Sequence, residues 1–290
     1  MEKIQINQDD CVLCDACIDV CTRKLFRREN DLIEVWQDTC SLCGHCKAVC
    51  PTDAIDIEGL NPDEFEPAPA KDDIPAPELL LAFFRSRRST RVYKGSPVER
   101  EKLEKIIEAG RFAPTGGNRQ PLEYTVIENP EVLGEVRDTC INFHAQNAEI
   151  IMASLAEKEN RGQSLSEPEL AMKQYAESWP WRLQQNKEGI DTLFHHAPAL
   201  IVIHANTDEA PTPEIDAGIA STQMVLMAES LELGTCYLGF LVGAAQESSE
   251  IKDLLGLSEK DKPVVAFVTG YPDVEYLRLV SRNPARVNWI

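Results

Sequence analysis

The sequence predicts an α+β protein of two domains, on three observations. Eight of the ten cysteines fall between Cys11 and Cys50, in two copies of one spacing. The stretch from Gly59 to Pro77 is rich in proline, alanine and acid and has no apolar period. Beyond it, helical and strand patterns follow one another without the strict alternation of a doubly wound sheet. A length of 290 residues suits about two domains of roughly 150 residues each. The boundaries read as 1–58, an extended and partly ordered linker 59–77, and 78–290.

In the first domain, Leu32–Val35 and Ala54–Ile57 read as short strands beside the cysteine motifs. After the linker, Glu78–Arg85 and Val98–Ala109 carry helical periodicity. Tyr124–Glu128 reads as a strand and Pro130–Phe143 as a helix. The polar segment 145–193 reads as mostly helical, with an aromatic interruption at Trp179-Pro180-Trp181. Ala199–His204 is a buried-strand signal. Ile215–Leu233 is expected to be a central helix, because Ile219, Val225, Met227 and Leu231 nearly surround it. Tyr237–Leu241 and Val264–Thr269 complete the expected strands.

The formal net charge of −19 argues against nucleic acid and against an anionic membrane surface, both of which require a basic patch. The start is polar and acidic, unlike an export signal, and no apolar run is long enough to span a bilayer. A cytoplasmic location follows as the expectation. In a reducing compartment clustered cysteines are metal ligands rather than disulfides.

Cys11, Cys14, Cys17 and Cys21 are spaced C-x₂-C-x₂-C-x₃-C. Cys40, Cys43, Cys46 and Cys50 repeat that spacing, and Pro51 follows. Three thiolates at two-residue gaps wrap three corners of a cubane, and the fourth reaches the other cluster, as in bacterial two-cluster ferredoxins. One [4Fe–4S] cluster is therefore expected on Cys11, Cys14, Cys17 and Cys50, and a second on Cys40, Cys43, Cys46 and Cys21. Structural zinc is the competing reading, but zinc ribbons use separated cysteine pairs. Thr22 stands where the first motif would usually have proline, which affects the exit from the loop rather than ligation. His45 lies inside the second motif, yet all eight ligand positions are already filled by cysteine. Cys140 and Cys236 read as core residues.

Two further loops carry chemistry. Arg87-Arg88-Ser89-Thr90-Arg91 places guanidiniums and a hydroxyl after a helix in a very acidic chain, which suits a phosphate clamp, with a solvated basic stretch as the competing reading. Pro114-Thr115-Gly116-Gly117-Asn118-Arg119-Gln120-Pro121 combines glycines for close approach with amides for the edge of a planar ring. Asp216-Ala217-Gly218 opens the long helix, and Gly234-Thr235-Cys236-Tyr237-Leu238-Gly239 follows it. In this order the motifs resemble the FMN-dependent nitroreductases, over roughly Leu79 to Ile290. With its cysteine-rich start the chain resembles the ferredoxin–nitroreductase fusions of anaerobic bacteria.

That resemblance implies a ferredoxin-like domain followed by a mixed sheet flanked by helices, in a homodimer with FMN at the interface. It implies that Arg87 and Ser89 hold the FMN phosphate with Arg282 of the tail, for which Arg278 is the alternative. Arg88 and Arg91 would reach the phosphate, the ribityl chain or the ring edge. Pro114, Thr115, Gly116 and Asn118 would approach the flavin from the partner subunit, and Leu238 and Gly239 would lie near N5. Leu122 stands where many relatives carry tryptophan. Trp179 and Trp181 are candidates for a pocket lining or for packing. His144, His195 and His196 are the titratable groups considered as acids, with no catalytic residue assigned, since solvent suffices to protonate a product.

The implied activity is an oxidoreductase. It would pass electrons from the clusters to FMN and on to a nitroaromatic, quinone or activated alkene. No Gly-rich nucleotide fingerprint is present, which favours a low-potential donor such as ferredoxin over NAD(P)H. The competing classes are an electron relay between protein partners, without a small-molecule substrate, and a redox sensor with structural clusters.

Overall fold

A computed structural model describes residues 3–37 and 39–290; Met1 and Glu2 of the acidic start, and Asp38 between the motifs, lie outside the described residues. The chain divides into two compact units. One comprises residues up to Ala76 together with Gly117–Arg119, and the other comprises Pro77–Gly116 and Gln120–Ile290.

The first unit is built twice. Strand β1 (Ile4–Ile6), helix α1 (Ala16–Val20) and strand β2 (Phe26–Glu29) are followed by β3 (Leu32–Val35), α2 (His45–Ala48) and β4 (Ile55–Ile57). Cys11 and Cys40 lie 29 residues apart, and the same offset carries β1 onto β3, α1 onto α2 and β2 onto β4. The halves are intertwined: β1 pairs antiparallel with β4 and β2 with β3. Ile4, Leu25, Phe26, Ile33, Ile55 and Ile57 form the core between them. The expected strands appear as β3, with the same bounds, and as β4. The turn joining β2 to β3 was legible but was not among the expectations. Asn30 and Asp31 have φ of 47° and 58°, as a tight hairpin turn of the mirror-image type requires. The expected linker holds two 3₁₀ turns, Pro62–Glu64 and Lys71–Asp73. Its first part packs down: the Phe65 ring lies against Gly44 and under the Lys47 ammonium.

The second unit contains helices α3 (Pro77–Ser86) and α4 (Arg100–Arg111), strand β5 (Leu122–Ile127), then α5 (Pro130–Asn160), α6 (Glu167–Glu177) and α7 (Trp179–Lys187). Strand β6 (Ala199–Asn206), helix α8 (Pro213–Ser230), strand β7 (Gly234–Tyr237), helices α9 (Gly239–Glu247) and α10 (Ser249–Leu254), and strand β8 (Asp261–Gly270) complete it. The strands form one sheet in the order β5-β6-β8-β7, antiparallel throughout. An isolated parallel bridge from Ser89 to Thr235 makes it mixed.

Side-chain alternation divides the core into two layers. Leu200 and Val202 of β6 face α5 and α9, through Val136, Ile141, Leu241 and Ala244. Ala199, Ile201 and Ile203 face α4 and α8, through Ile106, Met224 and Val225. No helix among the described residues is long and apolar enough to cross a membrane.

Two expectations are corrected. Pro130–Phe143 is only the start of α5, which runs to Asn160 because nothing between Phe143 and Gly162 breaks a helix. Its start is capped as the residues suggest, with Asn129 Oδ1 accepting from Glu131 N–H at 2.8 Å and Pro130 at the first helical position. The strand expected at Tyr237–Leu241 ends at Tyr237, and Gly239 begins α9. A short apolar run such as Leu238–Val242 fits a buried helix as well as a strand, and only packing decides.

Candidate functional site

In the first unit the cysteine loops bend through left-handed residues at matching positions, Leu13 and Asp15 in the first and Leu42 and Gly44 in the second. Each loop then enters a short helix, which buries Cys17 and Cys46. The eight cysteines gather into two sets. Cys11, Cys14, Cys17 and Cys50 line one cavity, and Cys21, Cys40, Cys43 and Cys46 line another, each about 360 Å³ counting the part open to solvent. The fourth cysteine of each motif thus crosses to the other motif's cavity. Apolar side chains wall both spaces, Ile6, Ile33 and Ile55 in one and Ile4, Phe26 and Ile57 in the other.

Backbone N–H groups already point at sulfur. Leu42 donates to Cys40 Sγ at 3.4 Å, Ala54 to Cys50 Sγ at 3.3 Å and Leu25 to Cys21 Sγ at 3.5 Å. Four thiols about a largely apolar space, with N–H donors to the sulfurs, fit an iron–sulfur cubane. Burial pushes the thiols of Cys17 and Cys46 up to about 11. His45 is exposed at the start of α2.

Lys47 escaped the sequence reading. It is buried between two cysteines of the second motif, and its ammonium donates to Asp53 at 2.6 Å, the Ile55 carbonyl at 3.0 Å and Asp56 at 3.3 Å. It ties α2 to β4 and so fixes Cys46 relative to Cys50. A lysine beside cysteines has no distinguishing pattern in sequence.

In the second unit the arginine-rich segment lies along the edge of β7. Thr90 N–H donates to the Thr235 carbonyl at 2.9 Å, and Thr90 packs where Gly234 has no side chain. Cys236 is the centre of this group. Burial raises its thiol, while the Arg91 guanidinium, hydrogen bonds from Ser89 and Arg91, and the Arg87 charge oppose that rise. Ser89, Arg91 and Arg87 are therefore brought together. Arg88 donates to the Arg278 carbonyl and stacks over Tyr276 at 5.0 Å. Arg87 Nη1 and Arg88 Nε are buried with no acceptor among the described residues, a donor set suited to an anion. Glu229 also faces this group: burial raises its carboxyl, against Ser86, Arg87 and Arg88. Arg278 and Arg282 are both exposed; the Arg278 main-chain carbonyl lies beside the segment, and Arg282 donates to the neighbouring Ser281 carbonyl.

The second loop is held at several points. Asp216, nearly fully buried in the first turn of α8, accepts from Gly116 N–H at 3.0 Å and from Thr212 Oγ1 at 3.4 Å. A Cβ on Gly116 would come within 2.9 Å of Thr212 Oγ1, so the close approach needs glycine. Thr115 Oγ1 accepts from Gln120 N–H at 3.0 Å. Asn118 closes the 3₁₀ turn Gly116–Asn118. It belongs to the first unit, where Nδ2 donates to the Ser41 carbonyl at 3.1 Å and the Leu42 carbonyl at 3.0 Å.

Leu238 is buried, and its N–H is spent on the Ala266 carbonyl at 2.8 Å. Gly239 is exposed at the first position of α9, where an N–H has no intrahelical acceptor, and open space surrounds the place of its missing Cβ. Trp179 is core: its ring stacks on His144 at 4.3 Å, with 15° between the planes, while Trp181 is exposed. His144 Nε2 bonds the Phe240 carbonyl at 2.9 Å. His195 lies near Arg91 and Arg182, and burial lowers its imidazole. His196 accepts from Asp191 N–H at 3.3 Å.

Comparison with known proteins finds two family models. That of the nitroreductase family matches residues 84–271, and that of the 4Fe-4S binding domain matches residues 33–56. The structure of a nitroreductase with bound FMN from Bacteroides fragilis superposes on 73% of this chain and 98% of its own, with a TM-score of 0.53 at 19% identity. A nitroreductase with bound FMN from Desulfitobacterium hafniense covers 72% of this chain and 97% of its own, with a TM-score of 0.52 at 21% identity. At such identities the likeness is one of fold. A curated NADH dehydrogenase/NAD(P)H nitroreductase of Archaeoglobus fulgidus is 36% identical over 61 residues, 21% of this chain. The match spans 35% of that relative's length.

Proposed function

The chain belongs to the nitroreductase family, and on that premise we propose that it is an FMN-dependent oxidoreductase fed through two [4Fe–4S] clusters. The observation that carries this reading is the crossed grouping of eight cysteines about two cavities, in a chain whose second unit has the family's fold. Cys11, Cys14, Cys17 and Cys50 would ligate one cluster, and Cys21, Cys40, Cys43 and Cys46 the other. A reducing cytoplasm keeps such thiols available for iron.

When bound, FMN supplies the exchange between one-electron donors and two-electron hydride transfer. The protein binds and orients it. Arg87, Arg88, Ser89 and Arg91 would hold the phosphate and ribityl chain, with a phosphate oxygen as acceptor for the orphaned Arg87 Nη1 and Arg88 Nε. Arg278 and Arg282 are the tail's candidates for the same phosphate, the main chain at Arg278 being held by Arg88 through its carbonyl. Pro114, Thr115, Gly116 and the backbone at Asn118 would approach the flavin of a second copy. Of Leu238 and Gly239 near N5, Gly239 has the N–H still free to donate there.

A homodimer is supported by apolar side chains left open on the second unit: Leu79, Leu81 and Phe84 of α3, and Ile215 and Ile219 of α8. The acceptor is a small electron-poor molecule, such as a nitroaromatic, quinone or activated alkene, and the donor a low-potential protein of ferredoxin type. His144 is committed to Trp179 and the Phe240 carbonyl, so the product's proton is assigned to solvent.

Anaerobic purification followed by iron, sulfide and flavin analysis tests the reading. About eight iron atoms and one FMN per chain, with the flavin bleaching on addition of reduced ferredoxin and recovering with a quinone or nitroaromatic, is the expected result. Zinc in place of iron, or no flavin, would overturn it.

A further inference from the structure

The two cysteine loops are related by the internal repeat, yet they are braced by different means. In the first loop, the carbonyl of Leu13 accepts from the guanidinium of Arg28, which also bonds Asp15 at 3.0 Å. The repeat places Leu42 where the first half has Leu13, and Ile57 where it has Arg28. Isoleucine cannot donate. The missing donor comes from far along the chain: Asn118 Nδ2 bonds the Leu42 carbonyl at 3.0 Å and the Ser41 carbonyl at 3.1 Å. A side-chain amide nitrogen carries two N–H groups, so both are committed.

The brace acts one peptide from the sulfur. Leu42 is left-handed, with φ of 53°, and its N–H is the group that donates to Cys40 Sγ at 3.4 Å. Holding the carbonyls on both sides of that N–H holds the N–H itself. Hydrogen bonds to the sulfurs are among the levers that set a cluster's potential.

We propose that Asn118 is a positioning residue for the cluster on Cys21, Cys40, Cys43 and Cys46, and that its brace, by holding the Leu42 N–H on Cys40 Sγ, sets the reduction potential of this cluster apart from that of the cluster on Cys11, Cys14, Cys17 and Cys50. The inference rests on the function proposed above.

The test compares the full-length wild type with Asn118→Ala, Asn118→Asp and Arg28→Ala, purified anaerobically, by redox titration followed by electron paramagnetic resonance. Both Asn118 variants are expected to change the reduction equilibrium of one cluster about tenfold, about 59 mV for a one-electron couple. Arg28→Ala is expected to move the other cluster. If Asn118→Ala loses one cluster and keeps the other, the brace is supported, and Asn118→Gln, which keeps an amide donor, should restore the lost one. Unmoved potentials in both Asn118 variants, or Arg28→Ala moving the same cluster as they do, would overturn the inference. A wild type without iron or flavin would instead remove the reading beneath it.

Discussion

His144 shows what single residues do when their neighbours are unknown. In sequence it is one of three histidines considered as acids. In the fold it is a packing residue, stacked on Trp179 and bonded to the Phe240 carbonyl. Burial lowers its imidazole below the ordinary value, against the raising effects of that bond and of Glu247. The folded state thus favours the neutral ring. Its contribution to stability is complete above the unfolded value of about 6.5 and is lost as pH falls below it toward the folded value. His144→Phe keeps an aromatic ring and removes the titration. Its melting temperature should fall less than the wild type's between about pH 7.5 and about pH 5; an equal fall would place the acid sensitivity elsewhere, at His195 or His204, whose imidazoles burial also lowers. Asn118 makes the same point. Its residue type was sufficient to mark it for hydrogen bonding, but its partners are carbonyls some 76 residues away in sequence.

At the scale of elements, patterns that repeat within a short window were readable. β3 has the expected bounds, and β6 and β8 extend the expected strands by a few residues at their ends. The failures occur where local patterns are degenerate. Leu238–Val242 is apolar at every position in a segment too short for a period to show, and β8 takes up the Leu238 N–H just before the chain turns into α9. The continuation of α5 lacks breakers but also lacks a strong apolar stripe, so its extent depends on packing against α6 and α7. The join between the arginine segment and β7 is a contact no local pattern carries. It depends on Gly234, where a Cβ would lie 2.5 Å from Thr90 Oγ1. Gly234→Ala should destabilise the protein by about 1–3 kcal/mol, the usual cost of overpacking, and weaken flavin retention. Denaturant unfolding and flavin release measure the two effects; intact stability would show that Thr90 simply moves aside.

At the scale of the whole molecule, exposed apolar side chains bear on assembly. The second unit leaves Leu79, Leu81 and Phe84 of its first helix exposed, together with Ile215 and Ile219 of α8. Covering such side chains is worth about 25 cal/mol per Å² of apolar surface. A second copy is the proposed cover, and sedimentation should give twice the chain mass. Replacing Leu81 and Phe84 together with glutamate should yield a monomer that loses FMN. A monomeric wild type, or a charged variant that still dimerises and keeps its flavin, would contradict that assembly.

The sequence by itself determined the family and the 4Fe-4S binding domain of the cysteine-rich start. Cysteine spacing is a covalent ruler, and the order of the arginine, glycine and aspartate motifs survives in one dimension. Only the tertiary structure decided which donors remain free. It spends Leu238's N–H on β8 and leaves Gly239's, aligns Arg88 with Arg278 rather than Arg282, and turns the Asn118 amide to the carbonyls of Ser41 and Leu42. A hydrogen-bonding group declares its capacity in sequence, but its partner is set by which backbone groups the fold leaves unsatisfied nearby, and that is a property of three-dimensional packing.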